Sequence, residues 1–120
     1  MPVKNRPKGG RTIALYMIQA SYTKEAAAAL VKKPEDRSLA VRPFVEKLGG
    51  RLIDFYYSLG DYDVVLIAEL PNNTAALATD LAAVAPGHIS KIKTTVLFTP
   101  EETVIAMKEA AIATLRAPGV

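Results

Sequence analysis

The feature that most constrains this chain is Leu59-Gly60-Asp61-Tyr62-Asp63, set between two apolar runs. Leu52 to Leu59 reads as one strand and Tyr62 to Leu70 as the next. Gly60-Asp61 between them supplies the small and polar residues that a tight hairpin accepts at positive φ. A Gly-x-Tyr-Asp corner in mid-chain fixes an architecture. It does not fix a reaction.

The surrounding sequence bounds the rest. At 120 residues the chain is long enough for one domain with a real core and too short for two. Much of its 50% hydrophobic content is alanine, which points to close-packed helices. It contains no run of ~18 uncharged apolar residues, so no membrane span is expected. The apolar piece from Thr12 to Ala20 is short, carries Gln19 and lacks a small-x-small cleavage site, so a cytoplasmic protein is expected rather than a secreted one. With no cysteine there is no disulfide, thiolate metal site or cysteine nucleophile. The net charge of +3 is unevenly spread: Lys4, Arg6, Lys8 and Arg11 leave 11 cations against 12 acids in the remainder. Residues 1–11 are therefore expected to be a flexible basic tail, 12–116 the single domain and 117–120 a flexible end.

Thr12 to Gln19 reads as a first strand, with Ile13, Leu15 and Met17 on one face and Ala14, Tyr16 and Ile18 on the other. Both faces are apolar, as in a central strand covered on both sides. Thr23 caps a helix through Ala26 to Leu30. Pro34 breaks it, and Glu35-Asp36 suit a new N-terminus. The second piece runs to Leu48, with Val41, Phe44, Val45 and Leu48 at helical spacing. Pro43 is expected to kink it or mark its true start. Gly49-Gly50 ends it. The second strand places Ile53, Phe55, Tyr57 and Leu59 on one face and Leu52, Asp54, Tyr56 and Ser58 on the other. The third sets Val64, Leu66 and Ala68 against Val65 and Ile67. Asn73 is the expected cap of the next helix, whose buried stripe is expected to be Leu77, Leu81 and Val84. His88 to Phe98 reads as an edge strand, and Thr99-Pro100-Glu101-Glu102 as a capping box opening a last helix to about Leu115.

The order β-α-β-β-α-β plus a trailing helix suits an α+β ferredoxin-like sandwich with a four-stranded antiparallel sheet and both main helices on one face. Such helices cannot cover both faces of strands one and three. Leaving Tyr16, Ile18, Val65 and Ile67, or their opposite-face neighbours, in water would cost several kcal/mol at about 25 cal/mol per Å². A homodimer placing sheet against sheet is the simplest remedy. A larger ring, or the trailing helix folding across, are the alternatives.

The chain resembles the GYD domain family. The matching pieces are Tyr22-Thr23, Arg37, Gly49-Gly50, Gly60-Asp61-Tyr62-Asp63, Glu69-Leu70-Pro71, Gly87 and Thr95 through Glu102, spanning Ile13 to Glu102. Lys93 stands where the family usually has the first threonine of a Thr-x-Thr pair, and Pro43 is unusual. The resemblance implies a dimeric α/β-barrel type of domain. It implies no chemistry.

The residues offer several candidate contacts. Arg37 with Tyr22 can hold an anionic group in the gap between helix and sheet. Asp54 with Tyr56 is the best polar pair on strand two. Asp61 and Asp63 flank Tyr62; without a third ligand they are read as turn chemistry, Asp63 bonding the backbone to hold the hairpin shut. His88 is the only histidine and stands at a strand start, where a surface or capping role is expected. The ligand-binding candidates are therefore Tyr22, Arg37, Asp54, Tyr56, Tyr62, Asp63 and His88. No catalytic residue, metal site or cofactor is assigned, since phosphate loops, serine elbows and zinc spacings are missing from the sequence. A sheet with few cations outside Lys91 and Lys93 does not favour nucleic acid. The expected function is a homo-oligomeric module binding a small ligand or partner without catalysis. Alternatives are a cofactor-free enzyme on a small carbonyl-bearing or aromatic substrate, and a regulatory or assembly subunit.

Overall fold

The computed structural model describes residues 14–119. The expected basic tail over 1–11, and Thr12 and Ile13 of the expected first strand, lie outside them. The described chain runs β1 (Ala14–Tyr22), α1 (Lys24–Lys32), α2 (Ser38–Lys47), β2 (Arg51–Tyr57), β3 (Val64–Leu70), α3 (Asn73–Val84), β4 (Ile89–Leu97) and α4 (Pro100–Ile112). The four strands form one antiparallel sheet in the order β2-β3-β1-β4. This is the expected α+β ferredoxin-like arrangement, with β1 and β3 inside and β4 at an edge.

Register sorts the side chains onto two faces. Tyr16 pairs with Ala68 and Val96, Ile18 with Leu66 and Thr94, and Ala20 with Val64 and Ile92. This face packs under α2 and α3, and its core joins Tyr16, Ile18, Leu66, Leu70 and Ala68 to Val45 of α2 and Ala76 of α3. The other face carries Leu15, Met17 and Gln19 beside Val65, Ile67 and Glu69, all only partly buried. Tyr16 and Ile18 thus lie beneath the helices, while Val65 and Ile67 share the open side.

Strand two departs from strict alternation. Leu52 faces Ala68, but Asp54 faces the next residue back, Ile67, so Ile53 is an extra residue in a bulge. Leu52, expected opposite Phe55, therefore lies on the same face and is 2% exposed. The connection to β3 is also longer than a two-residue turn. The Ser58 N–H donates to Asp63 O at 2.8 Å, enclosing a loop over 58–63 in which Gly60 has φ +116°.

The helix starts follow their side chains. The Thr23 hydroxyl accepts from the Ala26 N–H at 3.2 Å, and the Asp36 carboxylate accepts from the Ser38 N–H at 3.0 Å. Helix α2 passes through Pro43 without ending. The cap of α3 is Asn72, not Asn73: its side chain accepts from the Ala75 N–H at 2.9 Å. Asn73 instead accepts from the buried Tyr16 hydroxyl at 2.6 Å. Thr94 Oγ1 donates to the Asp80 carboxylate at 2.7 Å. These two bonds turn α3 so that Ala76 and Thr79 meet the sheet. The stripe expected to be buried faces outward, with Leu77 59%, Leu81 62% and Val84 40% exposed.

Helix α4 has the expected capping box: Thr99 Oγ1 accepts from the Glu102 N–H at 3.0 Å, and Glu102 Oε1 accepts from the Thr99 N–H at 2.7 Å. It ends at Ile112 rather than Leu115 and buries none of its residues. Its apolar side chains, Val104, Ile105 and Met107 among them, stay about half exposed or more. It gives the open face of the sheet no cover.

Candidate functional site

Between α2, α3 and the covered face of the sheet lies a cavity of about 260 Å³. Small residues create it. Ala20 on β1, Ala40 on α2 and Ala82 and Ala83 on α3 line the wall where larger side chains would close the gap. Phe44 and Phe55 add apolar walls from α2 and β2, and Tyr22, Arg37, Thr79 and His88 bring polar atoms. A mostly apolar, partly open cavity with a few converging polar groups is the usual form of a small-molecule site.

Each polar residue is held by its element. Tyr22 ends β1, where the register against β4 shifts between Ser21 and Tyr22. Its backbone N–H donates to Asp63 Oδ2 at 2.9 Å. Its hydroxyl lies beside Tyr57 and the Arg37 guanidinium. Burial first, then the neighbouring Tyr57, push its pKa up to about 12, while Arg37 acts in the opposite direction. Tyr22 is therefore a hydrogen-bond donor at physiological pH. Arg37 stands at the N-cap of α2, and its Nη1 meets Glu35 Oε2 at 3.1 Å. That pair is exposed and weakly held. His88 follows Gly87, whose φ is +91°, and its backbone oxygen accepts from the Thr23 N–H at 2.9 Å. The residue is exposed at the cavity mouth. Thr79 is 3% exposed and donates to Ala75 O at 2.8 Å.

Of the seven residues expected to bind a ligand, Tyr22, Arg37 and His88 come together on this cavity. Asp63 stands behind it. Its carboxylate holds the amide of Tyr22 and its own N–H donates to Ala20 O at 2.9 Å, so it ties the corner to β1 rather than only closing its hairpin. Tyr62 lies under the Lys91 ammonium, 4.8 Å from the ring centroid. Asp54 and Tyr56 pair with Ile67 and Val65 on the open face and do not reach the cavity. Tyr57, the neighbour of Tyr22, is not one of those seven. Its only signal in the sequence is that it shares a strand face with Phe55, against which its ring packs edge-on at 5.5 Å.

Among the described residues no group of three or more His, Asp or Glu side chains is placed to hold a metal ion. No helix among them is long and apolar enough to cross a membrane.

The sequence profile described as the GYD domain matches residues 16–107. No curated protein matches the chain. Among solved structures, MtbAldR is similar at 14% identity and a TM-score of 0.49, covering 72% of this chain and 52% of that one. The present chain thus spans about half the length of MtbAldR. A protein of unknown function from Nitrosomonas europaea is similar at 15% identity and a TM-score of 0.40, covering 91% of this chain and 99% of that one. Likeness at that level decides nothing about what this chain does.

Proposed function

This chain belongs to the GYD domain family, and from that premise we propose that it is a homo-oligomeric module that binds a small ligand in the cavity beneath α2 and α3. The observation that carries this reading is the convergence of Tyr22, Arg37 and His88 on one apolar, partly open cavity of about 260 Å³. The groups arrive from the end of β1, the start of α2 and the start of β4, so three separate elements meet at one mouth. Binding rather than chemistry fits their character. Arginine stays charged at any relevant pH, and Tyr22 stays protonated.

Self-association is the second half of the proposal. The open face of the sheet presents Leu15, Met17, Val65 and Ile67 at its centre. Helix α4 presents Val104, Ile105 and Met107 to solvent. A second copy covers both kinds of surface at once, as a two-fold pair does.

A metabolite thermal-shift screen on protein of known solution mass tests the binding. A ligand that raises the melting temperature in proportion to the logarithm of its concentration is expected. Tyr22→Phe or Arg37→Ala should remove that shift without lowering the melting temperature of the free protein by a comparable amount. A shift that survives both changes places the ligand elsewhere.

One observation favours a second reading. His88 shares the cavity with Tyr22 and Arg37, and an imidazole beside two donors is the set that removes a proton next to a carbonyl and steadies the enolate. Deuterium uptake at the α-carbon of a bound ketone, lost in His88→Ala, would make the protein an enzyme.

A further inference from the structure

We propose that the ligand of this cavity is a small amphipathic monoanion, a single carboxylate on a hydrocarbon or aromatic body. The acid group sits at the mouth between Arg37 and Tyr22, and the body lies between α2, α3 and the sheet. This rests on the cavity being a binding site and specifies what the site selects.

Charge comes first. Among the described residues that line the cavity, Arg37 carries the one fixed formal charge and none is acidic. The nearest carboxylate to Arg37, that of Glu35, meets it from an exposed position, 53% accessible, and a surface pair of this kind yields readily to a better-sheltered anion. The Tyr22 hydroxyl, which Tyr57 also neighbours, adds a neutral donor next to the guanidinium when it turns from Tyr57 to the ligand. A planar guanidinium with an adjacent hydroxyl matches the two oxygens of a carboxylate.

The remaining walls exclude other anions. A phosphate dianion seeks free backbone N–H groups at a helix start. The start of α2 beside Arg37 is already closed: Asp36 takes the Ser38 N–H at 3.0 Å and the Ser38 hydroxyl at 2.6 Å. That carboxylate also repels a second negative charge. Beyond the mouth the wall is Val41, Phe44, Phe55, Leu66 and Ile92, with Thr79 already spending its proton on Ala75. Among the described residues there, Thr79 Oγ1 is the one polar side-chain atom, and with its proton given to Ala75 it has no donor for a second acid. The volume of about 260 Å³ falls below the ~300–1,000 Å³ typical of larger ligands and admits a body of phenyl or short branched-alkyl size.

The test compares isosteres by calorimetry and thermal shift on the full chain. Benzoate, phenylacetate and 4-methylpentanoate are the acids. Benzamide, benzyl alcohol and inorganic phosphate are the controls. The acids are expected to bind at least tenfold more tightly than the amide and the alcohol, with no response to phosphate. Arg37→Gln should lower affinity for the acids to that of the amide while leaving the amide unchanged. Ala83→Phe, which fills the cavity, should abolish both. Circular dichroism of each free variant separates loss of binding from loss of fold. If amide and alcohol bind as well as the acids, or Arg37→Gln leaves the acids unaffected, the carboxylate assignment falls while the cavity remains a binding site. If no probe acts on the wild-type protein and a wider screen also fails, the binding reading falls with it.

Discussion

A methyl group added at Gly50 would strike the backbone oxygen of Glu69 and approach Leu70 Cδ2 to 2.6 Å and Val45 Cγ1 to 3.1 Å. Gly60 has nothing within 4 Å of such a methyl, and only its φ of +116° resists substitution. Gly50→Ala should therefore cost about 3 kcal/mol, as overpacking against fixed backbone does, and Gly60→Ala about 1 kcal/mol. Urea unfolding should rank them in that order with unchanged slopes. Tyr22 gives a residue-scale prediction in pH. Its pKa in the folded chain is about 12 against an ordinary 10.0, so the folded state holds the proton more tightly than the unfolded one. That contribution is complete below the ordinary value and is lost as pH rises through the folded value. Absorbance titration should show one tyrosine ionising last. In Tyr22→Phe that step should vanish, and stability should fall less steeply over the same alkaline range.

At the scale of elements, the sequence was most legible where a helix announces itself through polar side chains. Thr23, Thr99 and Glu102 sit in their expected caps. It was least legible where packing, not pattern, decides. Leucine outranks alanine in hydrophobicity, so Leu77, Leu81 and Val84 read as the buried stripe of α3. The helix turned its alanines inward because small residues allow close approach to the sheet and because Asn73 and Asp80 hydrogen-bond Tyr16 and Thr94. The bulge at Ile53 left no trace, since period-two alternation carries no sign of an extra residue. Asp80 tests the α3 contact. Burial raises its pKa, and the Thr94 hydrogen bond acts against that shift. A raised carboxyl pKa means the charged form is the less favourable one in the folded state, so stability rises as pH falls through that value. Asp80→Asn keeps an acceptor for Thr94 without the charge. Its melting temperature near neutral pH should equal or exceed that of the wild type, and its rise on acidification should be smaller.

For the whole molecule, the sequence announced an uncovered sheet face but not which residues would own it. Met17 with Val65 and Ile67 faces out, whereas Tyr16 and Ile18 lie under the helices. Met17→Glu or Ile67→Lys should leave the fold intact, because neither side chain belongs to the covered core. Either should shift sedimentation toward a single chain. Met107→Asp on α4 should weaken association without changing the stability of the isolated chain, since α4 buries nothing of its own. A wild-type protein that sediments as one chain at micromolar concentration would refute the paired assembly. The cavity was legible only in part. Tyr22 and Arg37 drew attention as a pair across the helix–sheet gap, but Ala83 and Phe44 carry no chemical mark, and only three dimensions make walls of them. The corner over Gly60 to Asp63 reaches beyond its own loop, because the Asp63 carboxylate grips the Tyr22 amide. That corner is thus a rivet behind the pocket wall. Under the proposed binding role, a variant that erases it would present as a failure of ligand capture, and a screen reading capture alone would mistake a fastening for a point of contact.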